Sequence, residues 1–200
     1  MDIFSGENLI KLIETVGLIG IFFITFAESG LFFGFFLPGD SLLFTSGFLA
    51  SQGFFNLPLL LLTIFLGAVL GDSVGYMFGK RVGPKIFSKE DSRFFHKKNL
   101  DKAQAYYEKH GPKTIVLARY TPIIRTFAPI VAGVGSMKYK TFITYNLIGG
   151  ALWTLSMTLA GFFLGSVIPD VDKYMLPIVL IIIIISLIPT VKEYFAGKKK

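Results

Sequence analysis

Apolar residues in this chain come in long unbroken runs, without the spacing of a surface helix or the alternation of a half-buried strand. Thr141 to Ile168 and Tyr174 to Val191 contain no charged residue. At about 1.5 Å per residue, even the shorter run extends about 27 Å, roughly one hydrocarbon thickness. Both are predicted to span a bilayer, and stretches from about Leu9 to Ala27 and from Leu57 to Gly79 read the same way. Two further apolar segments are interrupted. ESGLFFGFFLPGDSLLFTSGFLASQG in the first half carries Pro38 and Gly39 at its middle, and Thr114 to Met137 in the second carries Pro122, Pro129, Gly133 and Gly135. Proline and glycine at those positions interrupt a helix.

Composition agrees with the pattern: of 200 residues 52% are hydrophobic and 16% charged, a polytopic membrane protein rather than a soluble enzyme. Charge then orients the runs. Lys80 to Lys113 holds ten Lys or Arg against four Asp or Glu, and the chain ends in GKKK; basic loops of this kind stay cytoplasmic. Asp40 to Asp72 has no basic residue, and SVIPDVDK (166 to 173) is acidic, which places both outside. The basic loop needs no further explanation, and nucleic-acid binding is not expected of it. The N-terminus carries acids where a secretory signal carries basic residues, so it is read as part of the mature protein.

These anchors constrain the threading. Thr114 to Met137 begins and ends on the cytoplasmic side and so is predicted to be a re-entrant hairpin; residues 28 to 50, beginning and ending outside, are predicted to be a second, turning near Leu37-Pro38-Gly39. Irregular backbone at membrane depth requires protein or a water-lined cavity to satisfy it. Sliding the chain by 86 positions sets Gly47 on Gly133 and GYMFG (75 to 79) on GFFLG (161 to 165). The predicted fold is therefore an all-α polytopic membrane protein with two oppositely oriented re-entrant helical hairpins forming an inverted repeat, an arrangement found in alternating-access transporters. The chain reads as one membrane domain. Residues 9–79 form the first repeat, 80–112 a cytoplasmic loop and helix, 113–168 the second repeat, 174–191 a terminal spanning helix and 192–200 a basic cytoplasmic tail. In the loop, Asn99 is a candidate N-cap for LDKAQAYYEKH, which Gly111 and Pro112 end. That segment suits either a connector or an interfacial helix.

The chemistry lies in the few membrane charges. From Thr15 to Gly79 these are Glu28, Asp40 and Asp72; from Thr114 to Met137 they are Arg119 and Arg125. An unpaired charge at the bilayer centre costs about 2.5–3.5 kcal/mol on insertion scales, so these five are expected to pair or share a solvated cavity. On a straight helix Arg119 and Arg125 would point about 120° apart, about 9 Å along the axis. A break at Pro122 would let both converge on one site suited to phosphate. Simple neutralisation of Glu28 and Asp40 is the other reading, and the two are compatible. A carboxylate alternating between an arginine and a proton would couple transport to a proton gradient. Asp72 sits among glycines at 67, 71, 75 and 79, where close packing around a hydrogen-bonded carboxylate is the first reading and ligand contact the second. The GxxxG-like face around Gly67 and Gly71 suits either a homodimer or packing within one chain. Cysteine is absent, and His96 and His110 lack acids at metal-ligand spacing, so neither a metal nor a cofactor is expected.

Several spaced residues together resemble the DedA family of bacterial inner-membrane proteins, related to the VTT-domain proteins of eukaryotes. In the first half they are Glu28, Leu37-Pro38-Gly39-Asp40, Gly71-Asp72, Gly75-Tyr76, Gly79 and Gly83. In the second they are Arg119, Pro122, Arg125, Ala132-Gly133, Met137, Phe142, Asn146, Gly149 and Trp153. The resemblance implies lipid translocation: proton-dependent flipping of undecaprenyl phosphate across the cytoplasmic membrane, with Glu28 and Asp40 as the membrane acids and Arg119 and Arg125 as the essential arginines. Phospholipid scrambling, as in the eukaryotic relatives, and proton-coupled ion or drug exchange are the alternatives. An intramembrane phosphatase would need a nucleophile, for which Ser29 beside Glu28 is the one suggestive pair, and no enzyme activity is expected. A structural factor without turnover would tolerate apolar replacement of the charges.

Overall fold

The computed structural model describes residues 6–31, 39–86, 108–135 and 137–167, all of them in helices or short connections. Helix α1 spans Gly6–Gly30, α2 Gly39–Ser51 and α3 Leu57–Ile86. After a 3-10 turn at Gly111–Lys113 come the short α4 (Thr114–Leu117), a second 3-10 turn (Ala118–Tyr120), α5 (Pro122–Val134) and α6 (Tyr139–Val167). Leu57–Val82 and Tyr139–Val167 are long and apolar enough to cross a membrane; the second contains nearly all of the charge-free run Thr141 to Ile168. The terminal run 174–191, the turn Leu37-Pro38 and the proposed cap Asn99 lie outside the described residues. Of LDKAQAYYEKH the described end, residues 108–110, is helical; Gly111 follows at φ 60°, a left-handed conformation that glycine adopts without a Cβ penalty.

Local signals set the ends of several helices. The Asn56 side chain accepts the backbone N–H of Leu59 at 3.1 Å and so caps α3. That helix continues two turns past Gly79 through Lys80 and Arg81, both good helix formers. Thr121, preceding proline, is extended (φ −130°, ψ 107°), and Pro122 opens α5, where its missing N–H is no loss. Pro129, expected to interrupt the segment, does not: α5 runs through it to Val134. Pro129 packs against Gly75 of α3, whose Cβ position lies 3.4 Å from the Pro129 Cβ, an ordinary van der Waals contact.

The described residues fall into two units. One gathers α1 up to Ile21, α2 with the turn after it, α3 up to Ile64, and α6 from Thr154; the other takes α1 from Phe22, α3 from Phe65 and the chain on to Trp153. In the second unit, Tyr76, Ile115, Ala118, Ala128, Ala132, Met137 and Phe142 form a buried core. The Tyr76 ring stacks on Phe142 at 4.5 Å, and its hydroxyl donates to the Met137 carbonyl.

Each unit contains the same reciprocal contact. In the second, the Cβ position of Gly133 meets the Tyr76 carbonyl, and that of Gly79 meets the Ile130 carbonyl; in the first, Gly47 meets Thr158 and Gly161 meets Phe44. Every carbonyl lies three residues before the glycine on its own helix. Gly47 and Gly133 stand 86 positions apart, as do Phe44 and Ile130, whereas Tyr76 and Thr158, like Gly79 and Gly161, stand 82 apart. The packing equivalence on the long helices is thus one turn from the alignment that sets Gly79 on Gly165. Because backbone faces these glycines, Gly133→Val is expected to destabilise the protein by about 3 kcal/mol. A detergent melting curve identical to that of the unaltered protein would contradict this contact.

The glycine face of α3 is used within the chain. Four-residue spacing advances about 40° per step around a helix, so the row turns from one neighbour to another. Gly67 and Gly71 face α1, with a Cβ on Gly71 lying 2.5 Å from the Phe26 carbonyl, and Gly75 and Gly79 face α5.

Candidate functional site

The break at Thr121 places Arg119 at the end of one helical piece and Arg125 in the first turn of the next. Close approach of α1 and α3 at Gly30 and Gly71 brings carboxylates to both: a Cβ on Gly30 would sit 2.7 Å from the Gly71 carbonyl. Arg119 Nη2 donates to Asp72 Oδ2 and to Asn146 Oδ1, each at 2.6 Å. Arg125 Nη2 donates to Glu28 Oε1, and its Nη1 donates to the backbone carbonyl of Arg119 at 3.3 Å. The four charges are nearly sealed, with exposures of 0% for Glu28, 2% for Asp72, 1% for Arg119 and 3% for Arg125. Two cations balance two anions in this group, which is what makes such burial tolerable.

Both guanidiniums also face one aromatic ring. The Arg125 Cζ lies 4.8 Å and the Arg119 Cζ 5.9 Å from the centroid of the fully buried Trp153, within reach of cation–π attraction. Among the described residues, Arg119 Nε and Nη1 and Asp72 Oδ1 have no hydrogen-bond partner. The site therefore holds N–H donors with directional capacity beyond what its carboxylates use.

Of the residues singled out from the sequence, Glu28, Arg119 and Arg125 come together, and Asp72 joins them as the partner of Arg119 in addition to its place among the packing glycines. Asp40 lies half-buried in the first turn of α2, in the other unit. Gly39 begins α2, Pro122 begins α5 and Gly133 packs on α3; Pro38 lies outside the described residues. Asn146 and Trp153 were not singled out as site residues. The available signal was their chemistry: Asn146 is the one amide in α6, and Trp153 the one tryptophan in the chain.

The VTT domain matches residues 37–163. Protein DedA of Escherichia coli K12 is 45% identical over 181 residues, covering 90% of this chain and 82% of that protein. The chain belongs to the DedA family. An uncharacterized membrane protein of Mycobacterium tuberculosis is 46% identical over 172 residues, 85% of this chain and 75% of its own. Inner membrane protein YqjA of E. coli is 31% identical over 171 residues, 81% and 77%. No solved structure matches. DedA membership makes this a membrane protein, so the paired arginines sit in a helical membrane chain.

Proposed function

We propose that this protein is a lipid transporter that moves undecaprenyl phosphate across the bacterial cytoplasmic membrane, coupled to protons, with Arg119 and Arg125 holding the phosphate. The observation that carries the reading is two buried guanidiniums over one ring, one of which has Nε and Nη1 donors without acceptors. Guanidinium suits phosphate through planar, directional hydrogen bonds. In the resting arrangement Glu28 and Asp72 occupy the arginines. Protonating a carboxylate removes its charge and releases its guanidinium to an anion, so the proton and the phosphate enter together. Asp40 remains the further proton-carrying acid that the family resemblance names. The polyprenyl tail stays in lipid.

The finer architecture belongs to the same proposal: a multi-pass chain with a cytoplasmic C-terminus, and residues 28 to 50 and 114 to 137 as oppositely inserted re-entrant hairpins. The reciprocal glycine contacts in the two units support the repeat. Transport is favoured over phosphoryl transfer because the Glu28 carboxylate is engaged by Arg125 rather than held as a base for Ser29.

The test is a set of proteoliposomes carrying labelled undecaprenyl phosphate and a labelled phospholipid, with and without an imposed pH gradient. Gradient-dependent movement of the polyprenyl lipid alone is expected. Equal movement of the phospholipid would replace flipping by scrambling, and movement of a soluble ion with both lipids static would make the protein an exchanger.

A further inference from the structure

Two turns of α6 carry the neutral side of the site. Asn146, Gly149 and Trp153 follow at intervals of three and four residues, which aligns them on one helix face. Asn146 accepts from Arg119 and its Nδ2 donates to the Val69 carbonyl at 3.0 Å, so both ends of the amide are engaged. A Cβ on Gly149 would lie 3.0 Å from the Val116 Cα and 3.2 Å from Arg119 Cδ and Nε; the bare backbone there lets both the α4 backbone and the arginine stem lie against α6. Trp153 then receives both guanidiniums. None of these contacts involves a formal negative charge.

We propose that this face of α6, with Trp153 as its principal group, is the positioning element that keeps Arg119 and Arg125 together when their carboxylates let go. Two like charges facing one ring repel, and here Glu28 and Asp72 offset that repulsion. A carboxylate loses its hold when it is protonated or displaced by an anion. The aromatic quadrupole neither titrates nor leaves. Trp153 can therefore maintain the spacing of the guanidiniums in the carboxylate-paired and the anion-bound state alike. The anion-bound half of the inference rests on the phosphate reading; the stacking of both arginines on Trp153 does not.

Because Trp153 is the only tryptophan, tryptophan emission and the tryptophan bands of the near-ultraviolet circular dichroism of the purified protein report that ring. Arg125→Ala is expected to shift the emission maximum and change the aromatic dichroism; unchanged spectra would overturn the stacking. In parallel, calorimetry measures decyl phosphate binding to wild type, Trp153→Phe and Trp153→Leu. The leucine variant is expected to bind at least about tenfold more weakly and the phenylalanine variant within about threefold, as the range of cation–π strengths implies. Wild-type affinity in a folded Trp153→Leu protein would overturn the positioning role while leaving the phosphate reading intact. Absence of decyl phosphate binding to wild type, with the spectra shifting in Arg125→Ala, would sink the phosphate reading and the anion-bound half of the inference with it, and support the stacking of the arginines on Trp153. Should Trp153→Leu not fold, Trp153→Met, which keeps a long apolar side chain but no ring face, decides: weaker binding supports the proposal and unchanged binding overturns it.

Discussion

Replacing Glu28 by alanine is expected to lower stability by about 3–5 kcal/mol, because it leaves the Arg125 guanidinium buried without its carboxylate. Arg125 is 3% exposed and its Nη2 donates to Glu28, so water cannot take over that role without opening the helices around it. The effect comes from the stranded charge and not from the intrinsic worth of the pair. Removing both partners together, as Glu28→Leu with Arg125→Met, is therefore expected to recover most of the loss, since well-packed apolar groups of similar volume often match a buried ion pair. Thermal unfolding in detergent for the two single variants and the double variant measures the cycle. A Glu28→Ala protein that melts with the wild type would show that Arg125 finds another anion or solvent, and the charge balance described for the site would be wrong.

Arg119→Lys is expected to reduce lipid phosphate transport by at least about tenfold although the charge is kept. Arg119 engages Asp72 and Asn146 through the same Nη2 while its guanidinium faces Trp153. An ammonium is a compact point charge on a flexible stem and cannot satisfy two fixed acceptors, meet the ring and present further donors at once. The same substitution should disturb stability much less than removal of the charge, because Asp72 retains a cationic partner. Initial rates in vesicles matched for protein content check it. Transport at the wild-type rate would reduce Arg119 to plain charge pairing.

How far the sequence reached depended on the range of the physics involved. Helix α6 was legible because nothing charged interrupts Thr141 to Ile168, and the break between the arginines was legible because proline restricts the residue before it. The structure puts that break at Thr121. Pairing was less legible. Asp72 lies 47 positions from Arg119, in a glycine-rich stretch whose composition is already explained by helix packing, so no local pattern points at the arginine. The glycine face of α3 left a dimer and internal packing equally open; only the positions of Phe22 and Phe26 of α1 against Gly67 and Gly71 assign it to the chain itself. Pro129 misled for the opposite reason. Its local rule is strong, but α5 continues through it to Val134, with Pro129 packed against Gly75 of α3. Asn146 and Trp153 share this dependence on tertiary context: in a helix apolar on all sides, periodicity cannot say which residues face inward.

The central claim is that the paired arginines constitute the substrate site and not merely structural pairing. The direct measurement is the initial rate of labelled undecaprenyl phosphate movement, under an imposed pH gradient, in proteoliposomes holding either wild type or the Glu28→Leu/Arg125→Met protein at equal folded content. Gradient-driven movement by wild type, with the double variant no faster than protein-free vesicles, is the predicted result. Movement by the double variant at the wild-type rate would contradict the account.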